Sequence, residues 1–286
     1  MSDFAGYLLT GLGIGAGYAL VAGGLVVIYR VTRVVNFAQG AFAVLAAMLT
    51  SSLLATGLPH GVAELSGVLL AAVTGLLVGV VAVGRPGTTP GTSLIVTLGL
   101  GVFAYAVEIL VWGDQPRSFA GLPGVATVAG ARLQAHYLLI LGVAVPVFLA
   151  LAAFFARTDL GKALSACASN RYAARVVGID VRRMGLLAFT LGGALGGLAG
   201  VLTTPVQQVT FDSDVTLIVN GFAAAILGGL TRPVVALAGG LLLGVAQTMI
   251  AGYGGGAYQL EVALLLMLAV LVGQAARGGA VQEATR

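Results

Sequence analysis

Residues 135–205 read AHYLLILGVAVPVFLALAAFFA (135–156), RTDLGKALSACASNRYAARVVGIDVRR (157–183) and MGLLAFTLGGALGGLAGVLTTP (184–205), two apolar runs flanking a segment with six basic and two acidic residues. Each run has the length, about 20 residues, that a helix needs to cross a hydrocarbon core about 30 Å thick. A helix satisfies its own backbone polar groups, which lipid cannot do. The charged segment cannot follow its neighbours into lipid, so it is a long loop on one side of a bilayer.

Outward from this point the pattern repeats. Apolar stretches separated by breakers predict spans at 6–28, 35–55, 63–84, 92–112, 135–156, 184–205, 216–231, 234–252 and 258–274. The fold class is therefore all-α, a polytopic membrane helical bundle of about nine spans with eight to ten allowed. Composition agrees, with 59% hydrophobic and 8% charged residues against the roughly 25% charged residues of a soluble domain. The first run follows Met1-Ser2-Asp3-Phe4 without a basic region or a convincing cleavage site, so it is expected to stay as a span. Cys167 is the single cysteine, which excludes an intrachain disulfide and gives no support to a cysteine metal cluster. A net charge of +4 without a soluble basic domain gives no footprint for nucleic acid.

One stretch disturbs the pattern. Between Val31 and Gly40, Asn36 and Gln39 interrupt the apolar run just after Arg30 and Arg33. A broken or re-entrant helix near residues 31–40 is the alternative to a plain second span. Such a break is tolerated only where protein or a cavity satisfies its backbone, so it would also mark a functional surface.

With the 157–183 loop cytoplasmic, alternation puts Arg30, Arg33, Arg85, Arg157, Lys162, Arg171, Arg175, Arg182, Arg183, Arg232, Arg277 and Arg286 inside. Only Arg117 and Arg132 remain outside. Retained Lys and Arg set orientation, so the N-terminus is expected outside and the C-terminus in the cytoplasm. Glycines four apart, among them Gly11 and Gly15, Gly192 and Gly196, and Gly240 and Gly244, suit close helix packing.

Within the loop, Thr158 or Asp159 can cap a helix, the Ala-rich middle favours one, and Gly178 suits a left-handed C-terminal cap. A short surface helix is predicted, studded with Lys162, Arg171 and Arg175. Leu164, Ala168, Ala174 and Val177 are expected to form an apolar patch for a partner groove. From the residues alone three readings stay open: a docking element, an interfacial helix that binds lipid headgroups, and a plain connector.

Ala168-Ser169-Asn170-Arg171-Tyr172-Ala173-Ala174-Arg175-Val176-Val177-Gly178-Ile179 resembles the cytoplasmic loop of branched-chain amino acid ABC-transporter permeases. Asn36-Phe37-Ala38-Gln39-Gly40, downstream of Gly17-Tyr18-Ala19-Leu20, is similar to the Asn-Phe-Ala-His-Gly signature of that family's H-type subunit. Gly221-Phe222-Ala223-Ala224-Ala225-Ile226-Leu227-Gly228-Gly229-Leu230 looks like its penultimate region. The three blocks, in this order, extend the resemblance over most of the chain. Gln39 stands where the family often has His, and no acidic residue follows Gly40.

The resemblance implies a single ABC-importer permease domain over residues 1–286, a bacterial-type inner-membrane location, and 157–183 as the coupling loop. It implies a second, related but distinct permease subunit, two cytoplasmic ABC ATPases using ATP and Mg, and an external solute-binding protein. This chain itself is expected to hold no cofactor and no metal. Coupling is expected to involve Lys162, Asn170, Arg171, Ala173, Ala174, Arg175 and Gly178. Asn36, Gln39 and Asn220 are the pathway candidates. Branched-chain or related apolar amino acids are the expected cargo. Urea, short amides or another small organic solute are the alternative cargo, and an ion-coupled carrier the alternative class.

Other polar residues carry less. Glu108 is expected near the outer end of its span, within reach of the interface, and Asp212 and Asp214 in an external loop where they can pair with a binding protein. His60 and His136 are expected at external span ends, with no nucleophile, carboxylate pair or metal spacing beside them. Lys162 is followed by Ala163, so the nucleotide-binding signature is absent.

Overall fold

The computed structural model describes residues 2–84, 88–128, 130–230, 232–254 and 259–283. Arg85, Arg286 and the span ends expected at 231 and 258 lie outside them, and so does the side chain of Arg277. In chain order the helices are α1 (Ser2–Thr32), α2 (Gln39–Ala55), α3 (Val62–Val83), α4 (Pro90–Trp112), α5 (Ala135–Arg157), α6 (Asp159–Ser169), α7 (Arg171–Val176), α8 (Val181–Thr203), α9 (Ser213–Leu227), α10 (Pro233–Gly254) and α11 (Gln259–Glu283). Strands β1 (Val125–Val128) and β2 (Ala131–Gln134) form an antiparallel hairpin between α4 and α5.

Nine of these helices fall on the nine expected spans. Among the described residues six are long and apolar enough to cross a membrane, while α2, α9 and the Glu261–Gly273 part of α11 are shorter apolar helices. The shortness of α2 has a local cause. Helix α1 ends at Thr32, and Arg33 takes a left-handed conformation, φ 59°, that few non-glycine residues adopt. The chain then turns back into the bundle, where Val34, Asn36 and Ala38 are buried before helix resumes at Gln39. The expected start of span 2 at residue 35 is thus a re-entrant, non-helical segment.

Protein atoms satisfy that segment's backbone, as lipid could not. The Phe37 N–H donates to Thr97 Oγ1 of α4, and that hydroxyl lies 3.3 Å from the Val35 carbonyl. The Val34 N–H donates to Thr32 Oγ1 and the Ala38 N–H to Asn36 Oδ1.

Helices α1 and α8 form the centre. Ala16, Leu20, Val27, Ala188, Leu195 and Ala199 belong to one buried cluster with Ile140, Ala144 and Phe148 of α5. Glycine makes the packing this close. A Cβ on Gly15 would lie 2.5 Å from the Gly240 carbonyl oxygen, and one on Gly244 would collide with Gly11 and Gly15 of antiparallel α1. Between α3 and α8 the same holds for Gly75 and Gly193. With little hydrophobic drive between helices in lipid, such backbone approach supplies the dispersion energy that holds them together.

At the end of the bundle where α1 begins, Arg117 and Val209 exchange two backbone hydrogen bonds of 2.8 and 2.9 Å. His136 is buried rather than interfacial. Its Nδ1 accepts from the Leu122 N–H and its Nε2 donates to the Leu202 carbonyl, so it clamps the loop ahead of β1 onto α8. His60 keeps its expected exposed position and pairs with Glu64 at 2.7 Å.

Candidate functional site

Two regions gather the residues singled out in the sequence. The first is the re-entrant segment. Asn36 and Gln39 are both fully buried. Asn36 Nδ2 donates to Gln39 Oε1 at 3.3 Å, and Gln39 Nε2 donates to the Gly192 carbonyl of α8 at 2.8 Å. Gly24 and Gly196 leave room for the Gln39 side chain, since a Cβ on Gly196 would lie 2.9 Å from Nε2. Asn220 belongs to a different contact: its Nδ2 donates to the Thr216 carbonyl and its Oδ1 accepts from Gln247 of α10 at 2.7 Å. The three amides expected along a pathway are thus engaged inside the protomer and do not form one cluster.

Glu108 sits one turn from the end of α4, as expected. It is nevertheless 0% exposed, enclosed by protein where it was expected to reach the interface. Neither carboxylate oxygen has a hydrogen-bond partner among the described residues. Asp214 is also not in a loop, since it occupies the first turn of α9. Hydropathy reports depth along a helix and says nothing about its rotation, so the burial of Glu108 carried no sequence signal beyond its being an ionisable residue in a span.

The second region is the 157–183 loop, where the expected single helix is a pair. Thr158 Oγ1 accepts from the Gly161 N–H and starts α6. Helix α6 stops at Asn170, whose extended backbone, φ −152° and ψ 108°, breaks it. Asn170 then caps α7, accepting from the N–H groups of Tyr172 and Ala173 at 2.9 and 3.0 Å. Gly178, at φ +86°, closes α7 in the left-handed conformation expected of it.

The break rotates the apolar faces. Leu164, Ala168 and Ala174, expected as a partner patch, are buried against the bundle together with Cys167. Gly161 permits this seating, since any side chain there would strike the Phe154 carbonyl of α5. Of the expected patch only Val177 is outside, at 73% exposed, and it is joined by Leu160, Tyr172 and Val176. Ala173, Lys162 and Arg175 are exposed, and Lys162 lies 3.8 Å from Asp159.

Arg171 turns partly inward, and its Nε is buried without a partner among the described residues. Burial, then the neighbouring Arg175 charge, pulls its guanidinium below the ordinary arginine range. Burial also raises the Cys167 thiol, against the opposing influence of Arg171 and Arg175. Arg33 Nη2 donates to the Ala168 carbonyl at 2.9 Å, and the Arg30 guanidinium sits 5.2 Å from the Phe155 ring centroid. Arg33, just past the end of α1, thus ties α6 to the turn, while Arg30 packs the end of α1 on α5.

A family model described as the branched-chain amino acid transport system / permease component matches residues 7–273. The high-affinity branched-chain amino acid transport system permease protein BraD of Pseudomonas aeruginosa is 28% identical over 283 residues, covering 93% of this chain and 92% of its own. The corresponding permease protein LivH of Escherichia coli (strain K12) is 26% identical over 287 residues, covering 94% and 93%. Among solved structures, PsaBC from Streptococcus pneumoniae in complex with Fab is similar with a TM-score of 0.53 and 13% identity, covering 94% of this chain and 91% of that one. That likeness bears on the fold alone.

Proposed function

Because this chain belongs to the family of branched-chain amino acid transport system permease components, we propose that it works as the permease of a binding-protein-dependent ABC importer, with a second permease subunit beside it. Its cargo is branched-chain or related apolar amino acids. Two cytoplasmic ATPases hydrolyse ATP with Mg on its behalf, and an external solute-binding protein delivers the cargo. The chain is a multi-pass membrane protein and acts in transport. We place it in a bacterial-type inner membrane with the 157–183 loop cytoplasmic, which puts the start of α1 outside.

The observation that carries this reading is the build of α6 and α7. Two capped helices are seated by a buried face, bonded to the end of α1 through Arg33, and expose Leu160, Tyr172, Val176 and Val177. A plain connector has no use for four exposed apolar side chains on a rigid platform, whereas a partner groove does. In this reading α7 receives nucleotide-driven closure. Asn170 and Gly178 shape it, Ala173 and Ala174 supply its outer and inner faces, and Lys162 and Arg175 rim the contact. Through Arg33 the movement reaches the re-entrant segment, whose Asn36 and Gln39 hold α2 against α8, and we assign these amides to that linkage. Asn220 acts at the α9–α10 contact.

The test is copurification from membranes, followed by uptake of labelled leucine into vesicles holding every recovered partner. ATP-dependent uptake that unlabelled valine and isoleucine compete for is the expected result. Competition by urea or short amides instead would change the cargo. Uptake driven by an ion gradient with no ATPase present would overturn the importer reading.

A further inference from the structure

A cavity of about 360 Å³ lies where the start of α4, the start of α8 and α7 meet, beside the end of α1. Arg171, Arg175 and Arg182 line it. Among the described residues none of the three guanidinium groups makes a hydrogen bond or an ion pair with protein. The one carboxylate in the lining, Asp180, is already engaged: it caps α8 through the Arg183 N–H and pairs with Arg183 Nε at 3.1 Å. Among the described lining residues, three guanidinium groups thus meet a single carboxylate that is already engaged elsewhere.

Backbone polarity adds to it. Thr88 and Pro90 belong to the N-terminal end of α4, Asp180 and Val181 to that of α8, and both ends reach the lining. Helix N-termini carry the positive end of the macrodipole and favour oxyanions. Guanidinium groups match the geometry of phosphate oxygens with paired N–H donors.

A second concavity identifies what carries the phosphate. An apolar groove of about 370 Å³ runs between α2, α3 and α4, lined among others by Leu77, Val78, Val81, Leu100 and Phe103. Its end at Val81 is two residues along α3 from Val83 and Gly84 of the arginine cavity. The outer faces of α3 and α4 at this end carry exposed apolar side chains, Val80, Val81 and Ile95. An acyl chain in the groove puts its headgroup at the cavity mouth.

We propose that the arginine cavity and the adjoining apolar groove together bind one anionic phospholipid, with its phosphate between Arg171, Arg175 and Arg182 and an acyl chain along α3 and α4. Basic pockets between spans on the cytoplasmic side suit such headgroups. The lipid ties α7 to the adjoining ends of α3 and α4, so the proposed coupling element leans on the bilayer as well as on the bundle. The site rests on the cytoplasmic placement of the loop proposed above and shares Arg175 with the proposed ATPase rim, but the lipid count below reads it without any measurement of uptake or ATP hydrolysis.

The experiment uses the intact complex purified from membranes, exchanged into nanodiscs of equal phosphatidylglycerol and phosphatidylcholine with identical acyl chains. Native mass spectrometry after release counts the retained lipids. Wild type is expected to retain phosphatidylglycerol over phosphatidylcholine by about tenfold or more, because both carry the phosphate but choline's fixed cation is repelled by the arginines. R182Q, at an exposed position, and R171Q/R182Q lower the preference stepwise, with thermal unfolding confirming that the fold is intact. Equal retention of the two lipids, or an unchanged preference in both variants, overturns the proposal. Displacement of the bound lipid by millimolar inorganic phosphate alone also overturns it, since the site would then be one for the free anion.

Discussion

Gln39 Nε2 donates to the Gly192 carbonyl at 2.8 Å, tying the first residue of α2 to the middle of α8 across 153 positions of sequence. Because Asn36 also donates to Gln39, one side chain closes the re-entrant turn on itself and on the central helix. Gln39→Ala removes both bonds from a fully buried site and leaves the Asn36 amide without a receiver. The expected loss is about 1–3 kcal/mol, read as a lower unfolding midpoint of the detergent-solubilised protein. A midpoint equal to wild type would show that the turn does not depend on this amide.

Glycine positions separate packing from propensity. A Cβ on Gly244 meets the backbone of Gly11 and Gly15, which cannot swing aside as a side chain can, whereas one on Gly142 meets nothing within 4 Å. Gly244→Ala is expected to destabilise by about 1–3 kcal/mol through overpacking. Gly142→Ala, in the interior of α5, is expected to be neutral or to stabilise by up to about 1 kcal/mol. Side-by-side thermal unfolding checks the contrast, and equal effects of the two changes would refute it.

What the sequence disclosed follows from the range of the physics involved. Nine apolar runs appear as nine helices because a span is a local property of about 20 residues. The caps at Thr158 and Gly178 were legible for the same reason, since each acts within one turn. The break at 31–40 was legible as a break, but its course was not, because Thr97 of α4 receives it from 60 positions away. The inward faces of α6 and α7 are hidden from sequence for a similar reason. Leu164 and Ala168 lie one helical turn apart in the sequence, and only the seating of α6 on α5 shows that this face points inward. A stripe shows that a face will be covered without saying by what.

The two faces of α6 and α7 give opposite results in one assay. Tyr172 and Val176 are 78% and 70% exposed, while Leu164 is 0% exposed. Tyr172→Ser with Val176→Ser is expected to leave the unfolding midpoint within about 0.5 kcal/mol of wild type. The same pair weakens ATPase association by about tenfold or more, as loss of an aromatic anchor does. Leu164→Ser destabilises the permease itself by about 2–5 kcal/mol, the cost of a truncated core leucine. ATPases that copurify undiminished with the double variant would place the contact elsewhere.

Glu108 sets the last expectation. It lies on α4, is 0% exposed, and has no hydrogen-bond partner for either oxygen among the described residues. A buried polar group without a partner costs stability, and an apolar residue of similar volume removes that cost. Glu108→Met is expected to raise the unfolding midpoint, by an amount equivalent to about 1–3 kcal/mol. A residue kept against stability inside a membrane is by default one kept for function, so uptake by the same variant is the second readout. A stabilised variant with reduced uptake gives Glu108 a part in transport, whereas a lower midpoint would show that the carboxyl group holds the fold together in spite of its isolation.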